Sequence, residues 1–133
     1  MHFLGGLTAC TAILTFGLSG AAGAQSAHQF TGIAAYYSID YSGRTARGDR
    51  YDPTKLTAAH RNLPFGTRLR VTDPRSKRSV IVVVNDRGPF TKGRVLDLSL
   101  AAAKALNMTS RGLLKVTAVV EPDTNFTTAT TKP

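Results

Sequence analysis

Few residues in the body of this chain can move a proton: Asp40, Asp49, Asp52, Asp73, Asp86, Asp97 and His60. That set suits general acid–base chemistry, in which a positioned carboxyl or imidazole gives or takes a proton as a bond breaks. Other chemistries lack their residues. There is no Gly-x-Ser-x-Gly elbow, and the single cysteine, Cys10, falls in an apolar amino-terminal stretch, so nucleophilic protease chemistry is not expected. His60 stands alone in the body, with His28 in a linker and His2 near the start. One histidine among scattered aspartates is not the donor set of a zinc site, so neither a metal nor a cofactor is expected.

The acids differ in setting. Asp73 opens an Asp-Pro turn and reads as a brace, and Asp52 precedes Pro53 and can start a turn. Asp97 lies at a strand–helix junction, where capping the helix is the plain reading. Asp49 and Asp86 sit in loop and strand-end positions flanked by Gly and Arg. Asp86 closes the run Val80-Ile81-Val82-Val83-Val84-Asn85, which reads as a strand buried on both faces. Arg87-Gly88-Pro89 then forces a turn. A rigid strand end holds a carboxylate still. On pattern alone, bracing the turn and doing chemistry both stay open for Asp86.

The elements that must position these groups are mostly short strands. Residues 25–30 read as a linker and 31–37 as a first strand. Residues 38–53 are rich in Gly, Asp, Arg and Tyr without aliphatic periodicity, which predicts a long ordered loop of a functional kind. Residues 56–60 form a short strand or helical turn, and 62–66 a turn. Residues 67–72 alternate, with Leu69 and Val71 inward, and the turn at 73–76 makes 67–84 a hairpin. Residues 94–98 form another strand. The alanine-rich 99–106 is helical, capped by Asp97 or Ser99 and ended at Asn107. Residues 114–121 form the last strand, and the threonine-rich 122–133 reads as a disordered tail. About six short strands and one small helix predict a mainly β chain folded as a compact barrel.

Residues 3–18 are apolar or small throughout and lead to Ala22-Gly23-Ala24, so residues 1–24 read as a secretory signal peptide cut after Ala24. Two other readings stand beside it. One is an uncleaved membrane anchor, against which the shortness of the stretch counts. The other is a lipid anchor on Cys10 within Leu7-Thr8-Ala9-Cys10, against which the short run before it counts. Cleavage leaves one domain without cysteine, whose stability must come from its core. No later segment is long and apolar enough to span a bilayer, so no stable insertion is expected after cleavage. Seventeen Lys and Arg against eight Asp and Glu give a net charge of +9, which predicts an anionic partner. The basic residues are scattered without aromatic interleaving, which excludes nucleic acid as the expected partner. Outside the cytoplasm the available polyanions are cell wall and acidic glycans. A monomer is expected.

Six segments occur together in one order: Gly32-Ile33-Ala34-Ala35-Tyr36-Tyr37, residues 45–52 (Thr-Ala-Arg-Gly-Asp-Arg-Tyr-Asp), Leu56-Thr57-Ala58-Ala59-His60, Leu63-Pro64-Phe65-Gly66-Thr67, residues 84–90 (Val-Asn-Asp-Arg-Gly-Pro-Phe) and residues 94–99 (Arg-Val-Leu-Asp-Leu-Ser). In this the chain resembles the RlpA-like (rare lipoprotein A) family across residues 31–121. The resemblance implies a six-stranded double-psi β-barrel with one short helix, a fold shared with expansin domains. It also implies lytic transglycosylase activity on peptidoglycan strands in the periplasm or cell envelope. In that reaction an acid protonates the leaving oxygen. The substrate's own C6 hydroxyl attacks, and a 1,6-anhydro end forms without water. The family's site residues carry over to Asp86, His60 and Asp49. For Asp86 to hold a proton near neutral pH its surroundings must favour the acid form, with Asp49 as the neighbouring charge and His60 as a hydrogen-bond partner. Arg87 would oppose this if it paired with Asp86, although strand alternation sends the two apart. Tyr36, Tyr37, Tyr51 and Arg87 are the candidate substrate-binding residues, the tyrosines as stacking platforms or as core. The chain departs from the family in having Asp49 for the usual glutamate, Ser38 for glycine after the first aromatic pair, and an expected bare barrel without a carboxy-terminal repeat domain. A non-catalytic, expansin-like wall-glycan binder is the alternative reading.

Overall fold

Among the described residues, strands form where the sequence alternates or runs β-branched, and the one helix forms where alanine dominates. In chain order they are β1 (Gln29–Tyr36), β2 (Thr57–Ala59), β3 (Arg68–Thr72), β4 (Ser79–Asp86), β5 (Arg94–Leu98), α1 (Leu100–Ala105) and β6 (Leu114–Val120). The computed structural model describes residues 28–123. The expected signal peptide, Cys10 with its lipid reading, and the tail beyond Asp123 lie outside the described residues.

The strands close into a barrel in the order β1-β5-β2-β4-β3-β6. Two pairs, β1 with β5 and β2 with β4, are parallel, and the other four are antiparallel. Closure leaves no free sheet edge. Alternation fills the interior: Leu69, Val71, Val82, Val84, Leu96, Leu98, Val116 and Ala118 are all fully buried. The helix adds Ala102, Ala103, Leu106 and then Met108 to the same cluster. With no disulfide among the described residues, this apolar interior is the source of stability, each fully buried Leu or Val contributing about 1.5–3 kcal/mol.

Two features differ from the sequence reading, and two open alternatives resolve. β1 begins at Gln29, inside the expected linker, because Gln29 and Phe30 continue the ladder with Val119 and Ala118 and Phe30 packs on the core. β4 is buried on one face only: Val80, Val82 and Val84 point inward, while Ile81 and Val83 stay half-covered on the barrel's outer surface. A β-branched run therefore does not require two covered faces. Ser99, not Asp97, caps α1, its hydroxyl accepting from the Ala102 N–H at 3.2 Å. Residues 56–60 resolve to a strand, β2. The hairpin of β3 and β4 holds in full register from Arg68↔Val83 to Thr72↔Ser79, and Asp73 braces its turn by accepting from the Arg75 N–H and the Ser76 hydroxyl. Those hydrogen bonds hold the Asp73 carboxyl below its usual pKa.

Candidate active site

A single extra residue in β4 creates the site. Thr57 pairs with Val83 and Ala58 with Val84, but Ala59 pairs with Asp86, so Asn85 is a bulge. Without it, alternation from Val84 would send Asp86 into the interior. With it, Asp86 shares the outward row of Ala59. The next strand places Asp97 in that row, since Ala59 also pairs with Asp97, and Asp97 pairs with Ala35 on β1. Two carboxylates thus flank the small, buried Ala59 on one outer face, with buried Ala35 beyond Asp97. Asp86 and Asp97 are two strand spacings apart, about 10 Å between backbones.

Asp86 is held from three directions. Its Oδ1 accepts the backbone N–H of Ala46 at 2.7 Å and of Arg87 at 2.8 Å, and its Oδ2 accepts the Tyr37 hydroxyl at 2.5 Å. The Ala46 donor comes from the long loop. There the Gly48 N–H closes a turn onto the Thr45 carbonyl at 2.9 Å, which leaves the Ala46 N–H directed outward. Gly48 takes a φ of +109°, open to glycine and costly for other residues. Tyr37 is packed between Tyr51 (4.6 Å between centroids) and Tyr41 (5.1 Å). Burial, the Asp86 hydrogen bond and the charges of Asp86 and Asp97 push its pKa far up, so the hydroxyl stays a donor at all working pH.

Asp97 is more open. Its Oδ1 accepts from Arg94 Nη2 at 2.8 Å, and among the described residues its Oδ2 has no donor partner. A side chain on Gly88 would come within 3.9 Å of that oxygen, so the turn after β4 folds directly over it.

The other expected residues fall as follows. The His60 ring does not bond the Asp86 carboxylate. Its Nδ1 accepts the N–H groups of Leu63 (3.1 Å) and Asn62 (3.2 Å), and the link to Asp86 runs through the backbone, His60 N–H to Asp86 carbonyl at 3.2 Å. This fixes the neutral tautomer with the proton on Nε2. Burial, then the cations Arg87, Arg61 and His28, lower the His60 pKa. His60 lines a cavity of about 240 Å³ with His28, Phe30, Arg61, Asn62 and Val95. Asp49 is exposed at the loop tip, 4.0 Å from Arg47. Arg87 turns away from Asp86: its Nη1 donates to the Leu63 carbonyl at 2.8 Å and the His60 carbonyl at 3.3 Å, and its guanidinium covers the Phe65 ring at 3.9 Å. Tyr36 donates to the Thr109 carbonyl at 2.8 Å, and buried Tyr51 accepts the Leu100 N–H at 3.1 Å. Burial pushes the Tyr51 pKa up as well. Asp52 closes a local turn onto the Thr54 hydroxyl and N–H, which lower its pKa. No group of three or more His, Cys, Asp or Glu is placed to hold a metal among the described residues.

Two contributors escaped sequence reading. Asp97 was hidden by the capping alternative, although Ser99 two residues on is the better-placed cap. The Ala46 N–H carries no side-chain signal at all.

A closed six-stranded barrel with crossed parallel pairs is the double-psi β-barrel, here carrying a two-carboxylate site on its outer face. The chain belongs to the family described as "Lytic transglycolase", which matches residues 29–118. An RlpA protein of Nostoc sp. is 56% identical over 90 residues, 65% of this chain and 24% of the relative. The "Endolytic peptidoglycan transglycosylase RlpA" of Haemophilus influenzae is 48% identical over 86 residues, 64% of this chain and 30% of the relative. The chain therefore aligns with less than a third of the length of these curated relatives. Among solved structures it is similar to a Streptomyces papain inhibitor (TM-score 0.59, 24% identity, 71% of this chain and 96% of that one). It is also similar to a point mutant of Clavibacter michiganensis expansin in complex with cellohexaose (TM-score 0.58, 25% identity, 72% of this chain and 52% of that one). One fold thus serves an inhibitor and a glycan binder, so function must be argued from the site.

Proposed function

We propose that this protein is a peptidoglycan lytic transglycosylase that cuts the MurNAc–GlcNAc bond of glycan strands and leaves 1,6-anhydro-MurNAc ends. The observation that carries the reading is the outward row Asp86–Ala59–Asp97, in a chain whose family is described by that activity. The division of labour follows from hydrogen bonding. Asp97 Oδ2, free of donors among the described residues, delivers a proton to the glycosidic oxygen as the C1–O bond breaks. The substrate's O6 then bonds to C1 and returns its proton to Asp97. No water is consumed. Asp86, with three donors on its two oxygens, is a fixed negative end facing the charge that develops on the sugar. Tyr37 and the Ala46 N–H hold it in place. Asp49, at the exposed loop tip, steers the strand, and His60 acts from the cavity it lines with Phe30 and Arg61, its proton on Nε2. Reassigning the proton from Asp86 to Asp97 rests on the donors that already occupy both Asp86 oxygens; the Arg94 pair engages only Asp97 Oδ1 and, by favouring the carboxylate, works against the acid role.

An exported, monomeric protein with residues 1–24 removed as a signal fits this substrate, as does the net charge of +9 against an acidic wall polymer. Purified sacculi digested with the wild-type protein are expected to release anhydro-muropeptides detectable by mass spectrometry. Asp97→Asn should lower that rate by about 10²–10⁴-fold, the usual contribution of a general acid. Retention on sacculi with no product from the wild type would move the assignment to the expansin-like binder.

A further inference from the structure

The aromatic rings around the site are mostly spent. Tyr37, Tyr41 and Tyr51 pack on one another, Arg87 covers Phe65, and Phe30 lies against His60 at 5.1 Å. Tyr36 is tied to Thr109 through its hydroxyl. Phe90 is different: it is 82% exposed. Leaving a Phe ring in water forgoes about 1.5–3 kcal/mol of burial, so a ring held out on an ordered turn stands out from its surroundings.

The turn that carries it is fixed. The Pro89 carbonyl accepts Arg61 Nε at 2.8 Å, and Arg61 Nη2 ties the same turn to the Arg94 carbonyl at 2.7 Å. Gly88, at a φ of +123°, lets the chain reverse tightly over β5. The point where a Gly88 side chain would begin is 3.7 Å from the Phe90 ring and 3.9 Å from Asp97 Oδ2. The ring edge and the partnerless carboxylate oxygen therefore border one small space.

We propose that Phe90 is the stacking platform for the pyranose ring held against Asp97, its exposed face taking the C–H face of an N-acetylamino sugar. The substrate class rests on the proposed transglycosylase reading; the platform itself rests on the exposed ring and its distance to Asp97. It takes the place of the stacking role expected of Tyr36, Tyr37 and Tyr51, whose rings are engaged. The role is one of binding: Phe90 offers no proton and no charge.

The chain contains no tryptophan and four tyrosines, so Phe90→Trp introduces a single indole at the platform that can be excited apart from the tyrosines. Titrating that variant with glycan strands freed of stem peptides is expected to shift and enhance its emission saturably. Phe90→Ala should weaken strand binding and raise KM about tenfold, the scale of one aromatic contact, while kcat stays within about twofold. Phe90→Trp should restore both values. An unchanged thermal midpoint in Phe90→Ala shows that the fold is intact, as expected for so exposed a ring. Unaltered binding and KM in Phe90→Ala, or no emission change on titration, overturns the proposal. If the wild type binds strands without cutting them and Phe90→Ala loses that binding, the platform stands and the transglycosylase reading falls. An emission change with an unrelated protein but none with glycan strands would make Phe90 a protein-docking residue and overturns the proposal as well.

Discussion

Asp86 takes its character from what touches it, and among the described residues the Tyr37 hydroxyl is the one side-chain donor it has. Removing that donor in Tyr37→Phe leaves a packed ring but frees one carboxylate oxygen. A hydrogen bond to a charged group is worth roughly 1.5–3 kcal/mol, so turnover should fall about ten- to a hundredfold with KM little changed. Steady-state digestion of glycan strands reads this directly. Such a KM-against-kcat split separates a positioning residue from the binding loss expected at Phe90. His60 makes a different prediction. Its pKa is lowered by burial first and by Arg87, Arg61 and His28 after it, so between the folded value and the ordinary 6.5 the unfolded chain binds more protons. The His60 contribution to stability is therefore complete above pH 6.5 and declines as pH falls through that window. Thermal midpoints measured from pH 8 to pH 5 should drop on the acid side, and His60→Gln should flatten that part of the slope. At this scale the sequence singled out Asp86 at the end of a strand, but neither Asp97 as its neighbour nor the donors around it. Nothing in the residue letters says that the His60 ring will accept two backbone N–H groups or that the Ala46 N–H will reach Asp86.

At the scale of elements the decisive feature is the Asn85 bulge. Strands and hairpin were legible because period-two alternation is a direct imprint of a sheet with one buried face. A bulge leaves no such imprint. The run Val80–Val84 extrapolates smoothly to an inward Asp86, and only the pairing of Ala59 with Asp86 shows the slip. Deleting Asn85 restores regular alternation and turns Asp86 toward the core. The deletion variant is expected to lose activity and to unfold at a lower midpoint, because a carboxylate would then be buried without its three donors. Calorimetry with the digestion assay checks both. Ala59 offers a milder test. Ala59→Leu adds bulk between the two carboxylates at a buried position, and overpacking of that kind costs about 1–3 kcal/mol. The long loop was legible as an ordered loop from its composition. The turn within it that presents the Ala46 N–H was not, since that geometry depends on a glycine at positive φ and on contact with a distant strand.

For the whole molecule, closure explains how the chain does without disulfides among its described residues: every strand has two neighbours, and the interior is continuous with the helix. The barrel was legible from strand count and alternation. Its crossed connections were not, because parallel pairing of β1 with β5 and β2 with β4 is a property of topology and leaves no local pattern. The motif resemblance supplied what periodicity lacked. The barrel presents Asp86, Asp97 and Phe90 on one outer face, and the central claim is that this face breaks a glycosidic bond without water. Digestion of purified glycan strands in H₂¹⁸O tests this most directly. Anhydro-MurNAc ends carrying no ¹⁸O are expected, and Asp97→Asn should form them about 10²–10⁴-fold more slowly. Reducing ends labelled with ¹⁸O would show hydrolysis and contradict that claim.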